Sequence, residues 1–340
     1  MIAILGGGVA GAALAWALTR RGRKDVVVFD LLPLGSGSTT KAFGGFRTQQ
    51  GSPINVMLSL ASRPFFAERA EQIGFRDVGY LYVACGEQAM QELRWRAEFQ
   101  RSQGLPIEHP DPRSKVPFCA VDGVQAANYC RLDGTYQPAR ILECLVQEAT
   151  AAGADFRYGA EARPADLEAA DAVAVCAGIW SRKVGEELGV QLGVTPLERG
   201  IFTVGPFDWL PAEVPVTLDA DTGYHFRERD GYLLVTGPGD PYNWAHHREW
   251  LSRFTPRAAS DRPAGHWTGF YEMTPDHHPL VGETEQPGVW ASCGFSGHGV
   301  MHAPAVADSL AAMMLGQSPP IDVSALSPLR TEALVDTTQL

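Results

Sequence analysis

The chain has 340 residues, 45% of them hydrophobic, and a formal net charge of −11 without any block of basic residues. That balance argues against nucleic acid or an anionic membrane as a main partner, while leaving room for a local basic pocket. The length predicts two domains with a large core.

A strand expected to begin at Ile2 leaves no room for a leader before it, so none is expected. No apolar run has the length of a membrane span, because Ala303 to Leu315 is short and interrupted by Asp308. Cys85, Cys119, Cys130, Cys144, Cys176 and Cys293 are scattered without C-x-x-C spacing. They read as free thiols of a reducing compartment, so a cytoplasmic location is expected. No cysteine–histidine spacing suggests zinc, and no metal is expected.

Ile2 to Leu5 is an apolar run that predicts a buried strand. Gly6, Gly8 and Gly11 follow with G-x-G-x-x-G spacing, Val9 and Ala10 lying between the last two. Ala12 to Arg21 predicts a helix with Gly22 as its stop. Val26 to Phe29 predicts a second strand, with Asp30 at its end. Strand, glycine turn, helix, strand and acid in this order read as a dinucleotide-binding βαβ unit. Gly6 serves the tight turn, Gly8 the close approach of a pyrophosphate, and Gly11 the packing of helix on strand. The positive helix end meets the phosphates, and Asp30 accepts from a ribose hydroxyl.

Residues 31–51 form a long polar loop that starts at Leu31. A loop of this length inside a compact domain is usually functional or disordered. Ser38, Thr39, Thr40 and Lys41, followed by Phe43, Gly44 and Gly45, suit close wrapping of a phosphate-bearing ligand. Arg47 is a candidate for gripping a carboxylate through a bidentate, charge-assisted pair.

Asn55 to Gly74 predicts a helix, Tyr80 to Ala84 a strand, and Gln88 to Gln103 another helix. Pro106 to Pro117 reads as a surface connection. Tyr129 to Pro138 reads as a turn-rich crossing, Pro138 to Ala152 as an amphipathic helix, and Ala154 to Tyr158 as a short strand. Ala172 to Ser181 predicts a buried strand that ends in Ala177-Gly178, with Trp180 just beyond. Ligands sit at the carboxyl ends of strands in a doubly wound sheet, so backbone here is a second place to meet the cofactor. Trp180 reads equally as core packing.

Residues 190–265 have a different texture. Short strands at Phe202 to Gly205, Val216 to Leu218, Tyr224 to Phe226 and Tyr232 to Thr236 are separated by Gly, Pro and Asp turns. This predicts an antiparallel sheet, the candidate substrate domain. Alternation sets Tyr224 and Phe226 against His225 and Arg227, and leaves open which pair lines a pocket.

Tyr271-Glu272-Met273-Thr274-Pro275-Asp276 precedes a strand, Val289 to Cys293. Gly294-Phe295-Ser296-Gly297-His298-Gly299-Val300-Met301 follows, and then a helix from about Ala303 to Leu315. A second glycine-rich strand-to-helix turn suits a cofactor with a second bulky ring system. The positive helix end is placed to stabilise charge developing on that ring. Between two glycines, His298 reads as structural or cofactor-packing rather than as an acid–base group, and so does His302. The tail after Gly316 is rich in Pro, Ser and Thr, and its last ten residues are expected to be poorly ordered.

The first glycine turn, Gly44-Gly45-Phe46-Arg47, Ala177-Gly178-Ile179-Trp180-Ser181, Thr274-Pro275-Asp276 and the Gly294–Gly299 turn together resemble the D-amino acid oxidase family of FAD enzymes. The sarcosine oxidase and glycine oxidase branch is the nearest. The resemblance covers nearly the whole chain, and the last two motifs are far more specific than the first. The loop 44–50 and Phe226-Arg227-Glu228 are most similar to the β-subunits of heterotetrameric sarcosine oxidase and proline dehydrogenase.

The resemblance implies an α/β fold with an FAD-binding domain built from residues 1–80, 136–190 and 266–340. A mixed or antiparallel substrate sheet with helices would come from 81–135 and 191–265. FAD contacts are implied for the glycine turns, for Asp30 and Leu31, for the loop from Ser38 to Gly45, and for Arg163, Ala177, Gly178, Trp180 and the stretch from Gly294 to Met301. Arg47, Tyr224, Arg227, His298 and Met301 are the implied catalytic candidates. The implied chemistry is oxidation of a C–N bond in an amino acid of the sarcosine, glycine, proline or D-amino acid type. Hydride passes to the flavin, and the imine hydrolyses in water. Dioxygen or an electron carrier is the implied acceptor, and a partner subunit is compatible with the resemblance.

Two positions depart from the pattern. Monomeric sarcosine oxidases link FAD to a cysteine where this chain has Gly269, so non-covalent FAD is expected. The same enzymes hold the substrate carboxylate with a lysine where this chain has Met301, and a thioether does not pair with a carboxylate. Two other functions stay open. One is FAD-dependent oxidation of a 2-hydroxy acid, with His225, His298 or His302 as base. The other is a flavin-binding assembly or partner subunit that has lost its substrate site.

Overall fold

Six strands form the first sheet of the computed structural model, which describes residues 1–260 and 262–335. Across the sheet they run β15 (Leu280–Glu283), β16 (Val289–Cys293), β9 (Ala172–Val175), β1 (Ile2–Leu5), β2 (Val26–Asp30) and β8 (Asp155–Tyr158). All neighbours are parallel except β15 and β16. A parallel strand is covered on both faces, which is why β1 and β2 read as unbroken apolar runs. Helices Val9–Arg20, Pro53–Glu68, Pro138–Ala151 and Gly299–Met314 bury one face around Leu14, Leu18, Leu58, Ile141 and Leu310. Helix Val9–Arg20 is alanine-rich on its buried side, so helix Gly299–Met314 packs closely against it.

Eight strands form the second sheet, in the order β14 (Gly265–Met273), β10 (Thr195–Val204), β13 (Tyr232–Thr236), β12 (His225–Arg229), β11 (Val216–Asp219), β4 (Tyr80–Ala84), β6 (Ala126–Cys130) and β5 (Ile107–Glu108). Only β11 and β4 pair in parallel. One face is closed by helix Trp244–Phe254, whose Trp250 joins Phe226, Leu233 and Val235 in one apolar cluster. The other face looks toward the loop that carries Arg47. A two-stranded ribbon, β3 (Gly45–Phe46) with β7 (Gly134–Thr135), anchors that loop. No helix among the described residues is long and apolar enough to cross a membrane.

Several expected boundaries shift. Residues 266–273 belong to β14 and pair with β10 along their whole length, so a domain boundary at 266 cuts a strand. Helix Trp244–Phe254 interrupts the expected all-strand region. Its buried Trp250, Leu251 and Phe254 have helical spacing, but a polar run from His246 to Glu249 dilutes the pattern. The last long helix begins at Gly299 rather than near 303, because a glycine at its start and Pro304 inside it both disguise the first turn. Helix Pro53–Glu68 stops before the expected Gly74, with a separate short helix, Ala70–Ile73, beyond it.

The tail is pinned as far as it is described. Arg330 donates to both oxygens of Asp276 (2.7 and 2.8 Å) and to the carbonyls of His278, Pro279 and Leu326. The Leu334 N–H also reaches Asp276, at 3.2 Å. Poor order was expected for the last ten residues, of which 336–340 lie outside the described residues. Burial alone would raise the Asp276 carboxyl, but the Arg330 hydrogen bonds outweigh it and hold the group well below the usual range. Arg330→Ala leaves a buried carboxylate unpaired, so urea denaturation should report a loss of about 3–5 kcal/mol. A loss under about 1 kcal/mol would reduce the pair to an ordinary surface contact.

Candidate active site

Three glycine-rich turns open on one edge of the first sheet. The strands β16, β9 and β1 are adjacent and parallel, so the turns that follow them start side by side. At the first turn, Gly6 takes φ +110°, and a Cβ there would lie 2.3 Å from the Cys176 carbonyl oxygen. A Cβ on Gly11 would lie 1.9 Å from the Gly6 carbonyl oxygen. Gly8 differs. Its added Cβ would meet only Thr39 Oγ1, at 3.4 Å, so the fold itself does not require glycine there. No side chain caps helix Val9–Arg20 at Gly8, and no acid stands in its first turn. The Gly7 N–H donates to Asp30 Oδ2 (2.7 Å), the Leu32 N–H to Asp30 Oδ1 (2.9 Å), and the Val9 N–H to Thr39 Oγ1 (3.1 Å). Leu31 is exposed beside Asp30.

The last turn is held just as specifically. Thr274 N–H donates to Ser296 Oγ (3.2 Å), and Ser296 N–H to the Glu272 carbonyl (3.0 Å). Gly294, Ser296 and Gly297 all have positive φ, and Ser296 pays for its strained conformation with these bonds. Helix Gly299–Met314 again has no side-chain cap and no acid in its first turn. Between this turn and Gly178 lies the Glu272 side chain. Its Oε2 is shielded from solvent without a hydrogen-bond partner among the described residues, and a Cβ on Gly178 would come within 3.9 Å of it.

These residues fit a dinucleotide with a second ring system. Space is left at Gly8, two helix ends without an N-cap side chain face one edge, with only the Val9 N–H of the first held by Thr39, and an acceptor waits between the turns. Asp30, Gly8, Ala10, Gly178 and the 294–299 turn would hold it.

Burial pushes the Glu272 carboxyl up to about 7, against the opposing pull of the Gly294 and Phe295 N–H groups. A carboxyl raised above its unfolded value of 4.5 stabilises the fold at low pH, and that contribution is lost as pH rises through about 7. Unfolding of the apoprotein across this pH range should therefore show a shallower decline in Glu272→Gln than in the parent. Parallel curves would remove Glu272 as the titrating group.

Arg47 is 3% exposed and lies against the last turn. Its Nη1 donates to Tyr82 Oη (2.8 Å) and its Nη2 to His298 Nε2 (2.9 Å). A guanidinium only donates, so Nε2 accepts and His298 is neutral, with its proton on Nδ1. Burial, reinforced by the Arg47 charge, pushes His298 down to about 3. His225 is pushed down to about 4, first by burial and then by the Arg47 and Arg199 charges. The loop 47–50 hangs on Asp133. Thr48 N–H and Oγ1 both lie 2.5 Å from Asp133 Oδ1, and Gln49 Nε2 donates to Oδ2 (2.8 Å). Burial pushes the Asp133 carboxyl up to about 6.

Some expected residues fall elsewhere. Tyr224 precedes β12, stacks on Trp250 and meets His247 edge-on under helix Trp244–Phe254, on the face away from Arg47. The helix covers that face, so His225 and Arg227 are the pair that looks inward. Arg227 is buried, donates to the carbonyls of Gly44 and Tyr136, and thus shapes the loop from behind. Arg163 is turned away, with its side chain 75% exposed and bonded to Asp166. Trp180 is 48% exposed, so it is not core packing. Met301 is buried, with its sulfur 3.7 Å from Gln50 Nε2. Ser38, Thr39, Thr40 and Lys41 lie at a 3₁₀ turn opposite Gly8 and Gly269, and Phe43 meets His225 edge-on. His302 bonds Ser59 (2.9 Å) between two helices and is structural. Tyr82, Asp133, Tyr271 and Glu272 were not singled out from the sequence.

An edge of glycine turns set against a sheet face and a loop with a buried arginine suits a protein of two sheets that holds a dinucleotide cofactor. The sequence profile of DAO, FAD dependent oxidoreductase, matches residues 1–313, and the chain belongs to that family. It is 26% identical to 4-methylaminobutanoate oxidase (formaldehyde-forming) of Paenarthrobacter nicotinovorans, over 96% of this chain and 45% of that protein. It is 27% identical to human mitochondrial dimethylglycine dehydrogenase, over 96% of this chain and 44% of that protein. The chain thus spans about half the length of those two relatives. Glycine oxidase of Geobacillus kaustophilus is 26% identical over 89% of both chains. The fold superposes on L-proline dehydrogenase from P. horikoshii with a TM-score of 0.88 at 22% identity, covering 97% and 96% of the two chains.

Proposed function

We propose that this chain oxidises the C–N bond of a small amino acid carrying a secondary or N-methyl amine, with FAD held non-covalently. The observation that carries the proposal is the contact between Arg47 and His298, which ties a buried cation directly to the cofactor turn. Arg47 binds the substrate carboxylate, and Tyr82 and neutral His298 fix the orientation of its guanidinium. That aims the carbon beside the nitrogen at the ring edge of the cleft. Burial and the Arg47 charge both favour the neutral amine, whose lone pair the reaction needs. Bound FAD supplies the hydride acceptor. Tyr271 packs against Gly297 and closes the cleft beside that turn. The curated relatives oxidise amines by name, which supports the same substrate class.

The test is anaerobic addition of sarcosine, proline, glycine, D-amino acids, an N-methyl amino dicarboxylate and 2-hydroxy acids to the FAD-loaded protein. Bleaching of the flavin by an amine is expected, and readmitted air then separates dioxygen from a protein carrier as the acceptor. Bleaching by 2-hydroxy acids alone, or by nothing in the panel, would overturn the proposal.

A further inference from the structure

The inward face of the second sheet carries four arginines in its neighbourhood, and three have partners. Arg47 bonds Tyr82 and His298, Arg227 bonds two carbonyls, and Arg229 lies over the Trp267 ring (5.3 Å). The Arg199 side chain makes no hydrogen bond, ion pair or ring contact among the described residues, although it is only partly exposed. Its direction follows from the strand. On β10, Phe202 packs under helix Trp244–Phe254 on Trp244 and His247, and a Cβ on Gly200 would strike the Pro241 carbonyl on that same side. Alternation therefore turns Arg199 inward.

Its cross-strand partner on β14 is Gly269, which carries no side chain to cover it. Two positions along β14, Tyr271 shares the inward face, and a Cβ on Gly269 would approach Lys41 Cβ at 3.1 Å. The Arg199 charge reaches both Tyr271 and His225, as the Arg47 charge does. The inward positions of β10, β14, β12 and β13 beside Arg199 hold Leu, Ile, Gly, Trp, Tyr, His, Thr and Arg but no carboxylate. A half-buried cation without a counter-ion is costly unless a ligand brings one.

We propose that Arg199 is a second anion anchor of this cleft, and that the substrate is an amine with two acidic groups, one held by Arg47 and the other by Arg199. The substrate class rests on the amine-oxidation proposal, but the anchor does not. It is tested first by binding. Acetate, malonate, succinate and glutarate are titrated into the FAD-loaded protein, with both the flavin spectrum and calorimetry as readouts. At least one dicarboxylate should bind roughly 10- to 150-fold more tightly than acetate, the range of one charge-assisted bond. The best chain length reports the span between the two guanidinium groups. Arg199→Gln should collapse that ratio toward one, and Arg199→Lys should restore part of it.

A ratio near one in the parent overturns the anchor. So does an Arg199→Gln variant that weakens acetate and dicarboxylate equally, or one that loses FAD affinity while keeping the ratio. Turnover separates the two proposals. Faster flavin reduction by an N-alkylated amino dicarboxylate than by sarcosine supports both. Reduction by monocarboxylic amines with no dicarboxylate preference rejects only the second. Dicarboxylate binding without reduction by any amine rejects only the first.

Discussion

Gly8→Val is expected to yield a folded, colourless protein. The added Cβ meets nothing nearer than Thr39 Oγ1 at 3.4 Å, and the Gly8 backbone is extended (φ −73°, ψ −170°), a conformation that valine adopts readily. The fold therefore tolerates the change. The side chain instead fills the space over a helix end that has no N-cap side chain, where a pyrophosphate must approach to reach the backbone N–H groups. Overpacking of about 1–3 kcal/mol, added to lost N–H bonds, should weaken FAD by at least about 100-fold. Unchanged urea stability with lost flavin is the expected pair of results. Gly11→Val is the contrast, because its Cβ would collide with the Gly6 carbonyl and the fold itself should fail. A Gly8→Val protein that remains stoichiometrically yellow would place the phosphates somewhere else.

Arg47→Ala should retain FAD and lose the substrate. The guanidinium is buried and already fixed at both Nη atoms, so a carboxylate gains an oriented partner with little reorganisation. Removing one side of such a buried charged pair costs about 2–5 kcal/mol, or roughly 30- to 5,000-fold in Kd. The measurement is the concentration dependence of anaerobic flavin reduction, with the flavin spectrum as a check that the cofactor remains. The same variant relieves His298 of the Arg47 charge, leaving burial as the main force on its imidazole. Unchanged substrate affinity would remove Arg47 from the site.

Local chemistry made part of this visible in the sequence. Gly6 and Gly11 answer to steric demands of a single turn, and that turn lies next to the strand and helix that define it. The Gly294–Gly299 turn was legible for the same reason, once Thr274-Pro275-Asp276 stood upstream. Face assignment was not legible. Alternation separated Tyr224 from His225, but only the helix Trp244–Phe254 packed over one side decides which of them looks inward. Asp133, Glu272 and Arg199 were hidden for a different reason. Each acts on residues far away in the chain, through sheet register or loop contacts that leave no local pattern. Met301 shows a third case. A substitution against a family pattern marks what is missing, whereas the residue that compensates must be found in space.

Turns from opposite ends of the chain are expected to close on one FAD that is not covalently attached. The visible spectrum of the purified protein, taken before and after acid precipitation, tests both parts at once. Flavin bands at close to one equivalent per chain, with all the colour released to the supernatant, are the expected result. A protein that is colourless and takes up no added FAD would contradict the shared cradle, and a yellow pellet would contradict the consequence drawn from Gly269.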